Sequence, residues 1–147
     1  IVVALASLYK ARFGEKINLK WESSLDEDLY EVMVPSFILQ PIVENSFRHG
    51  IVPNEKGGEV LISISSHNQM LSIVVSDNGV GMDEETLIRV RERIKEKKLG
   101  SEHIGIGNVA ARVQMLSPDS SFSVESKINE GTKVIMKMPL LIEKEEN

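Results

Sequence analysis

The sequence predicts an α+β domain, a two-layer sandwich in which a mixed, largely antiparallel sheet is covered on one face by about three helices. Three observations predict it. Segments with alternating apolar residues are interspersed with segments of helical spacing, and short turn sequences join successive strands into hairpins, which a doubly wound parallel sheet lacks. With 147 residues, 41% of them hydrophobic, the chain supports one core and leaves no room for a second full domain.

The elements follow in order. Residues Ile1 to Phe13 place Val2, Leu5, Leu8 and Tyr9 at helical spacing before Gly14, and read as the end of a longer helix whose N-terminal neighbour lies outside this chain. Ile17, Leu19 and Trp21 alternate with Asn18, Lys20 and Glu22 as a half-buried strand. A polar turn at Leu25 to Asp28 leads to a second short strand around Tyr30 to Val34. Ser36 is placed to cap a helix over Phe37 to His49, apolar at Ile38, Leu39, Ile42, Val43 and Phe47, with Gly50 as its stop. Pro53 to Gly58 is a loop. Glu59 to Ser66 and Leu71 to Ser76 form a hairpin across His67 to Gln69. Asp83 caps a charged helix through Lys98 that stops at Gly100, and Ile104 to Leu116 is a further helix closed by Pro118. Phe122 to Ser126 and Lys133 to Met138 are the last strands, joined by Asn129-Glu130-Gly131, and residues 141–147 form a charged, disordered tail.

Composition narrows the function classes. A formal net charge of −5 with scattered basic residues gives no footprint for nucleic acid. The absence of cysteine excludes disulfides, thiolate metal sites and Cys nucleophiles, and suits the cytoplasm. The longest apolar runs, Ser36 to Val43 and Met70 to Val75, are too short to span a bilayer, and no signal-peptide pattern opens the chain.

Four short constellations carry polar chemistry. The first is Glu44-Asn45-Ser46-Phe47-Arg48-His49-Gly50 at the end of an apolar helix. Helical spacing lets Asn45, Arg48 and His49 converge on one spot, an amide oxygen suits Mg²⁺, and the cations suit phosphate. The second is Asp77-x-Gly79-x-Gly81 directly after a strand: a carboxylate there accepts a hydrogen bond from an exocyclic amine, and the glycines allow close backbone approach. The third is His103-Ile104-Gly105-Ile106-Gly107-Asn108, where amides at a helix start face an anion. The fourth is Glu130-Gly131-Thr132, with Thr132 placed to support a buried carboxylate or a water. Each has an ordinary structural reading by itself: a polar helix end, an Asp-Asn-Gly turn, a hinge and a tight hairpin. Neither the dinucleotide fingerprint nor the Gly-Lys-Ser/Thr phosphate loop occurs.

Taken in this order, the four resemble the N, G1, G2 and GT boxes of the GHKL, or Bergerat-fold, ATPase superfamily. Leu39-Gln40-Pro41-Ile42-Val43-Glu44-Asn45 through His49-Gly50, preceded by Arg12-Phe13-Gly14-x-Lys16, is similar to the LytS/YesM-type sensor histidine kinases, over about Leu8 to Met138. The resemblance implies a Bergerat fold over residues 14–140, with residues 1–13 leading from a dimerisation and phospho-acceptor domain. It implies ATP and Mg²⁺ as ligands. Asn45 holds Mg²⁺, Arg48 and His49 lie near the phosphates, and Asp77, supported by Thr132, binds the adenine amine. Gly79, Gly81, Met82, Gly105, Ile106 and Gly107 shape the pocket and the lid over about 82–104, and Asn108, in the Asn-Val-x-x-Arg run to Arg112, binds phosphate. Pro41 stands where the hydrolysing members carry their catalytic Glu, one helical turn before Asn45, so hydrolysis by that route is lost. Glu44 is assigned a different task, orienting the acceptor imidazole. His103 replaces the Gly with which many relatives open the second glycine box.

The implied reaction is transfer of the γ-phosphoryl group of Mg²⁺-ATP to a histidine on another domain, mainly by positioning and charge neutralisation. The chain alone, expected to be monomeric, then binds ATP without phosphorylating itself. Its parent is expected to be a homodimer in the bacterial cell membrane that phosphorylates a response regulator. Two alternatives share the boxes, a protein-serine kinase of the anti-sigma-factor type and a nucleotide-sensing interaction module without chemistry.

Overall fold

The computed structural model describes residues 11–12, 14, 17–24, 36–99 and 105–140, with the side chains of 36 and 37 excepted. The strand expected at Tyr30 to Val34, most of the helix at Ile1 to Phe13, the lid residues 100–104 with His103, and the tail lie outside them.

The described chain runs β1 (Ile17–Ser24), α1 (Ser36–Asn45), a π-helical segment (Ser46–Ile51), β2 (Gly58–His67), β3 (Met70–Asp77), α2 (Glu84–Glu96), α3 (Ile106–Leu116), β4 (Ser121–Lys127) and β5 (Gly131–Pro139). The strands form one five-stranded sheet in the order β1-β2-β3-β5-β4. β1 and β2 are parallel, and the other neighbours are antiparallel. This is the mixed, largely antiparallel sheet that the hairpins predict.

Alternation makes the sheet one-sided. Along β3, Leu71, Ile73, Val75 and Asp77 are buried while the residues between them are half-exposed. The same face carries Val60 and Ile62 of β2, Val134, Met136 and Met138 of β5, and Phe122 and Val124 of β4. Against it lie Ile38, Leu39, Ile42, Val43, Phe47 and Ile51 from α1 and its π-helical continuation, Leu87 and Ile94 from α2, and Val109, Ala110 and Val113 from α3. Asp77 and Thr132 are paired across β3 and β5 at the same sheet end.

Four boundaries depart from the sequence reading, each for a local reason. The helix does not stop at Gly50: after Asn45 it widens into π geometry through Ile51, shown by the Val52 amide donating to the Phe47 carbonyl at 2.9 Å. Ser36 is already helical rather than a cap before the helix. α2 ends at Glu96, four residues before Gly100, because Lys97 takes the left-handed conformation, a helix-ending geometry usually given to Gly or Asn. In the last hairpin Gly131 is the first residue of β5, and Ile128, Asn129 and Glu130 make the connection, with Asn129 at φ 64°. The β2–β3 hairpin closes with Asn68 and Gln69 both at positive φ, a two-residue turn matched to strand twist.

Candidate nucleotide site

Asp77 is the last residue of β3 and is 8% exposed. Its Oδ1 accepts from the Gly79 amide at 3.0 Å and the Thr132 amide at 3.3 Å. Burial pushes its carboxyl above the usual carboxylate range, outweighing the Gly79 and Thr132 amides and nearby Ser46, which pull it down. Thr132 therefore supports Asp77 through its backbone. Its hydroxyl is instead 2.8 Å from the Ser126 hydroxyl, which accepts from the Met82 amide and donates to the Gly131 carbonyl.

The glycines around this carboxylate are matters of space. A Cβ on Gly50 would lie 2.8 to 3.0 Å from all three carboxyl atoms of Asp77. One on Gly79 would collide with the Gly50 carbonyl, which accepts from the Val80 amide at 3.0 Å. Gly81 combines φ +68° with close approach to the Lys127 carbonyl, and Gly131 combines φ +105° with approach to the Asp77 carbonyl. The Asp-x-Gly-x-Gly turn is thus clamped between the π-helical segment and the β4–β5 hairpin. An open groove of about 290 Å³ runs from Asp77 and Thr132 along that hairpin, past Ser126 and Lys127.

Asn45, half-buried, closes α1 and makes no side-chain cap. Beside it the Arg48 guanidinium is held 2.8 Å from Glu44, and His49 is exposed. Glu44 is engaged by Arg48 rather than standing alone. Among the described residues no group of three or more His, Cys, Asp or Glu could hold a metal. The one hard oxygen that Asn45 offers fits an Mg²⁺ that arrives coordinated by nucleotide phosphates and keeps its waters.

Gly105 precedes α3 in an extended conformation, and its carbonyl accepts from the Asn108 and Val109 amides at 3.1 and 3.3 Å. Space around a Cβ on Gly105 is open, while one on Gly107 would make ordinary contact with Arg93 of α2. Ile106, Gly107 and Asn108 are half-buried. α3 packs on α1 and α2, so the turn before it belongs to the same helical layer as Asn45. Met82 and Asp83 lead into α2, where the Asp83 carboxylate caps the helix by accepting from the Thr86 amide at 2.8 Å; the Thr86 side chain first, and then its amide, lower the carboxyl's pKa.

Sequence reasoning missed Ser46, Gly50 and Ser126 as parts of the site. Ser126 was findable, since it shares the inner-face parity of Phe122 and Val124 in β4. Ser46 was findable as well, since it follows the buried Ile42 and Val43 at helical spacing.

The family model described as "Histidine kinase-, DNA gyrase B-, and HSP90-like ATPase" matches residues 35–142. Sensor protein LytS of Bacillus anthracis is 30% identical over 146 residues, 99% of this chain and 24% of that protein. Sensor histidine kinase YpdA of Escherichia coli is 31% identical over 133 residues, 90% and 22% of the respective chains. The chain thus spans about a quarter of the length of these curated relatives. Among solved structures, the histidine kinase domain of a blue-light activated kinase from Erythrobacter litoralis superposes with a TM-score of 0.61 at 20% identity, covering 95% of this chain and 59% of that one. The catalytic domain of histidine kinase ThkA gives 0.59 at 18% identity, covering 97% and 90%. The fold is that of histidine kinase catalytic domains, and the chain belongs to the histidine kinase-, DNA gyrase B- and HSP90-like ATPase family.

Proposed function

We propose that this chain binds Mg²⁺-ATP and presents its γ-phosphoryl group to a histidine on a separate dimerisation domain of a sensor histidine kinase. The observation that carries the reading is Asp77. A buried carboxylate whose Oδ1 takes two backbone amides offers lone pairs, when ionised, to a donor. The six-amino group of adenine is such a donor, and the six-oxo group of guanine is not. Asn45 is the residue assigned to Mg²⁺, His49 and Asn108 to the phosphates, and Gly105, Ile106 and Gly107 to the backbone over the phosphate chain. Arg48, tied to Glu44 at 2.8 Å, must exchange that partner to reach a phosphate. Met82 and Gly81 open the lid, and Gly79 gives the base room beside Asp77.

The chain holds the donor half of the reaction. Pro41 occupies the place of the hydrolysing members' Glu, so ATP bound here is kept for transfer rather than given to water. In the parent protein, a homodimeric sensor at the cell membrane, the acceptor imidazole attacks the γ-phosphorus as ADP leaves, and the phosphoryl group passes on to a response regulator. Glu44 is assigned to orient that imidazole.

Calorimetric titration with ATP and GTP, with and without Mg²⁺, tests the reading. ATP is expected to bind in preference to GTP, and Asp77→Asn to weaken ATP by roughly tenfold or more, the loss of a hydrogen bond to a charged group. Equal affinity for the two bases would remove the adenine assignment. Incubation of the chain alone with radiolabelled γ-phosphate ATP is expected to leave it unlabelled, and stable labelling would refute the division of labour between domains.

A further inference from the structure

The register of the sheet brings three polar side chains into one row. On the inner face, Val75 of β3, Val134 of β5 and Val124 of β4 stand side by side, and all three are buried. Two residues further toward the end of the sheet, the same face carries Asp77, Thr132 and Ser126, again paired across the strands. Alternation alone predicts another apolar row there. The covered face ends instead on a carboxylate and two hydroxyls, and these three residues line the groove.

The hydrogen bonds of this row fix where its protons go. A hydroxyl has one proton to donate and two lone pairs to accept with. Ser126 Oγ lies 2.9 Å from the Gly131 carbonyl, which only accepts, so the Ser126 proton is used there. It lies 2.8 Å from the Met82 amide, which only donates and occupies one lone pair. The contact of 2.8 Å to the Thr132 hydroxyl then has a single direction: Thr132 donates and Ser126 accepts. That fills Ser126 and uses the Thr132 proton, so Thr132 Oγ1 has only lone pairs to offer. Its own backbone amide meanwhile donates to Asp77 Oδ1 at 3.3 Å, which keeps the hydroxyl and the carboxylate together at the groove.

We propose that Ser126 is a positioning residue for base selection: by taking the Thr132 proton it makes that hydroxyl an acceptor only, so that Thr132 joins Asp77 in favouring an amine over an oxo group at the six position of a purine. This rests on the nucleotide reading above and adds to it a cause of selectivity beyond Asp77. Ser126 acts through Thr132 rather than on the base. Without it, the Thr132 proton is free to turn toward an incoming oxygen, and the penalty that two facing acceptors impose on an oxo group is relieved.

Calorimetric titration of the chain with ATP and with inosine triphosphate, whose base carries an oxo group at the six position, reads the effect as a ratio of two affinities. Ser126→Ala is expected to lower the preference for ATP about fivefold to tenfold. Ser126→Cys, close in volume but with a weak acceptor in place of the hydroxyl, is expected to do the same and decides the matter if Ser126→Ala does not fold. In a Thr132→Val background, which has no hydroxyl to orient, Ser126→Ala is expected to leave the ratio within about twofold. A ratio that does not fall in the folded single variant, whether both affinities hold or drop together, overturns the proposal, because a serine that only braces the hairpin acts on both nucleotides alike. A fall of the same size with and without the Thr132 hydroxyl overturns it too, since Ser126 would then act by another route. Asp77→Asn distinguishes the two levels of failure. If it leaves the wild-type preference intact, the adenine assignment itself is wrong; if it collapses the preference while the Ser126 variants keep it, only the role of Ser126 falls.

Discussion

Asp77 sits where a hydrophobic strand would place another valine, and its burial has a stability cost. Its carboxyl lies above the ordinary value of 3.8, chiefly through burial, so the folded state holds the proton more tightly than the unfolded one. The sign follows: stability contributed by the protonated form is present below the ordinary value and is lost as pH rises through the raised folded value. Asp77→Asn, which keeps an acceptor for the Gly79 and Thr132 amides without a charge, should be relatively more stable than the wild type above that window, and the gap should narrow on acidification. Denaturant midpoints across pH check this, and a gap that widens toward low pH would contradict it. A variant more stable at neutral pH yet impaired in ATP binding is the signature of a carboxylate kept for its ligand. Gly81 makes the opposite case: its φ of +68° and the closeness of the Lys127 carbonyl should make Gly81→Ala destabilising by about 1–3 kcal/mol, measured by chemical denaturation.

At the level of elements, α2 is joined to the sheet by few but specific ties. Arg91 directs Nε and Nη2 to the Val124 carbonyl on strand β4 at 3.2 and 2.9 Å, while Leu87 and Ile94 are its buried apolar contacts. Arg91→Ala should therefore raise hydrogen exchange in α2 and leave β3, at the centre of the sheet, unchanged; equal acceleration of both would show that the tie bears on global stability instead. The legibility of elements follows their dependence on neighbours. The β2–β3 hairpin was readable because alternation and a polar two-residue turn are local, and α2 because Asp83 is a local cap. The π-helical segment was not. From sequence, Gly50 looks like a helix stop, whereas its lack of a side chain serves the approach to Asp77, a partner fixed only when β3 joins the sheet. Lys97 hid the end of α2 in the same way, since no residue type there announces a left-handed turn. For the site, each box was visible in order, but the bonds that make them one site were not: Thr132 and Asp77 are 55 residues apart, and Thr132 reaches the carboxylate through its backbone amide, while Ser126 faces its hydroxyl.

Across the whole molecule, the one-sided sheet explains why the site lies where it does. The helices bury the inner face, and the outer face is left with rows such as Lys20, Leu61, Ser76, Lys133 and Glu125, set side by side by the strand register. The proposed nucleotide site then lies at the end of the sheet, where Asp77 closes β3 and the chain turns through Gly79 and Gly81 toward α2. The rigidity of that end depends on the core beneath it, so core and outer-face substitutions in the same strand should separate sharply. Ile73, fully buried, is expected to cost about 2–5 kcal/mol when replaced by Ala, with accelerated exchange at the Gly79 amide that bonds Asp77. Ser72, its immediate neighbour on the outer face and paired with Lys137 and Ser65, is expected to tolerate Ala within about 0.5 kcal/mol. Comparable losses from the two would mean that the outer face is also covered, and the picture of a sheet packed on a single side would have to be replaced.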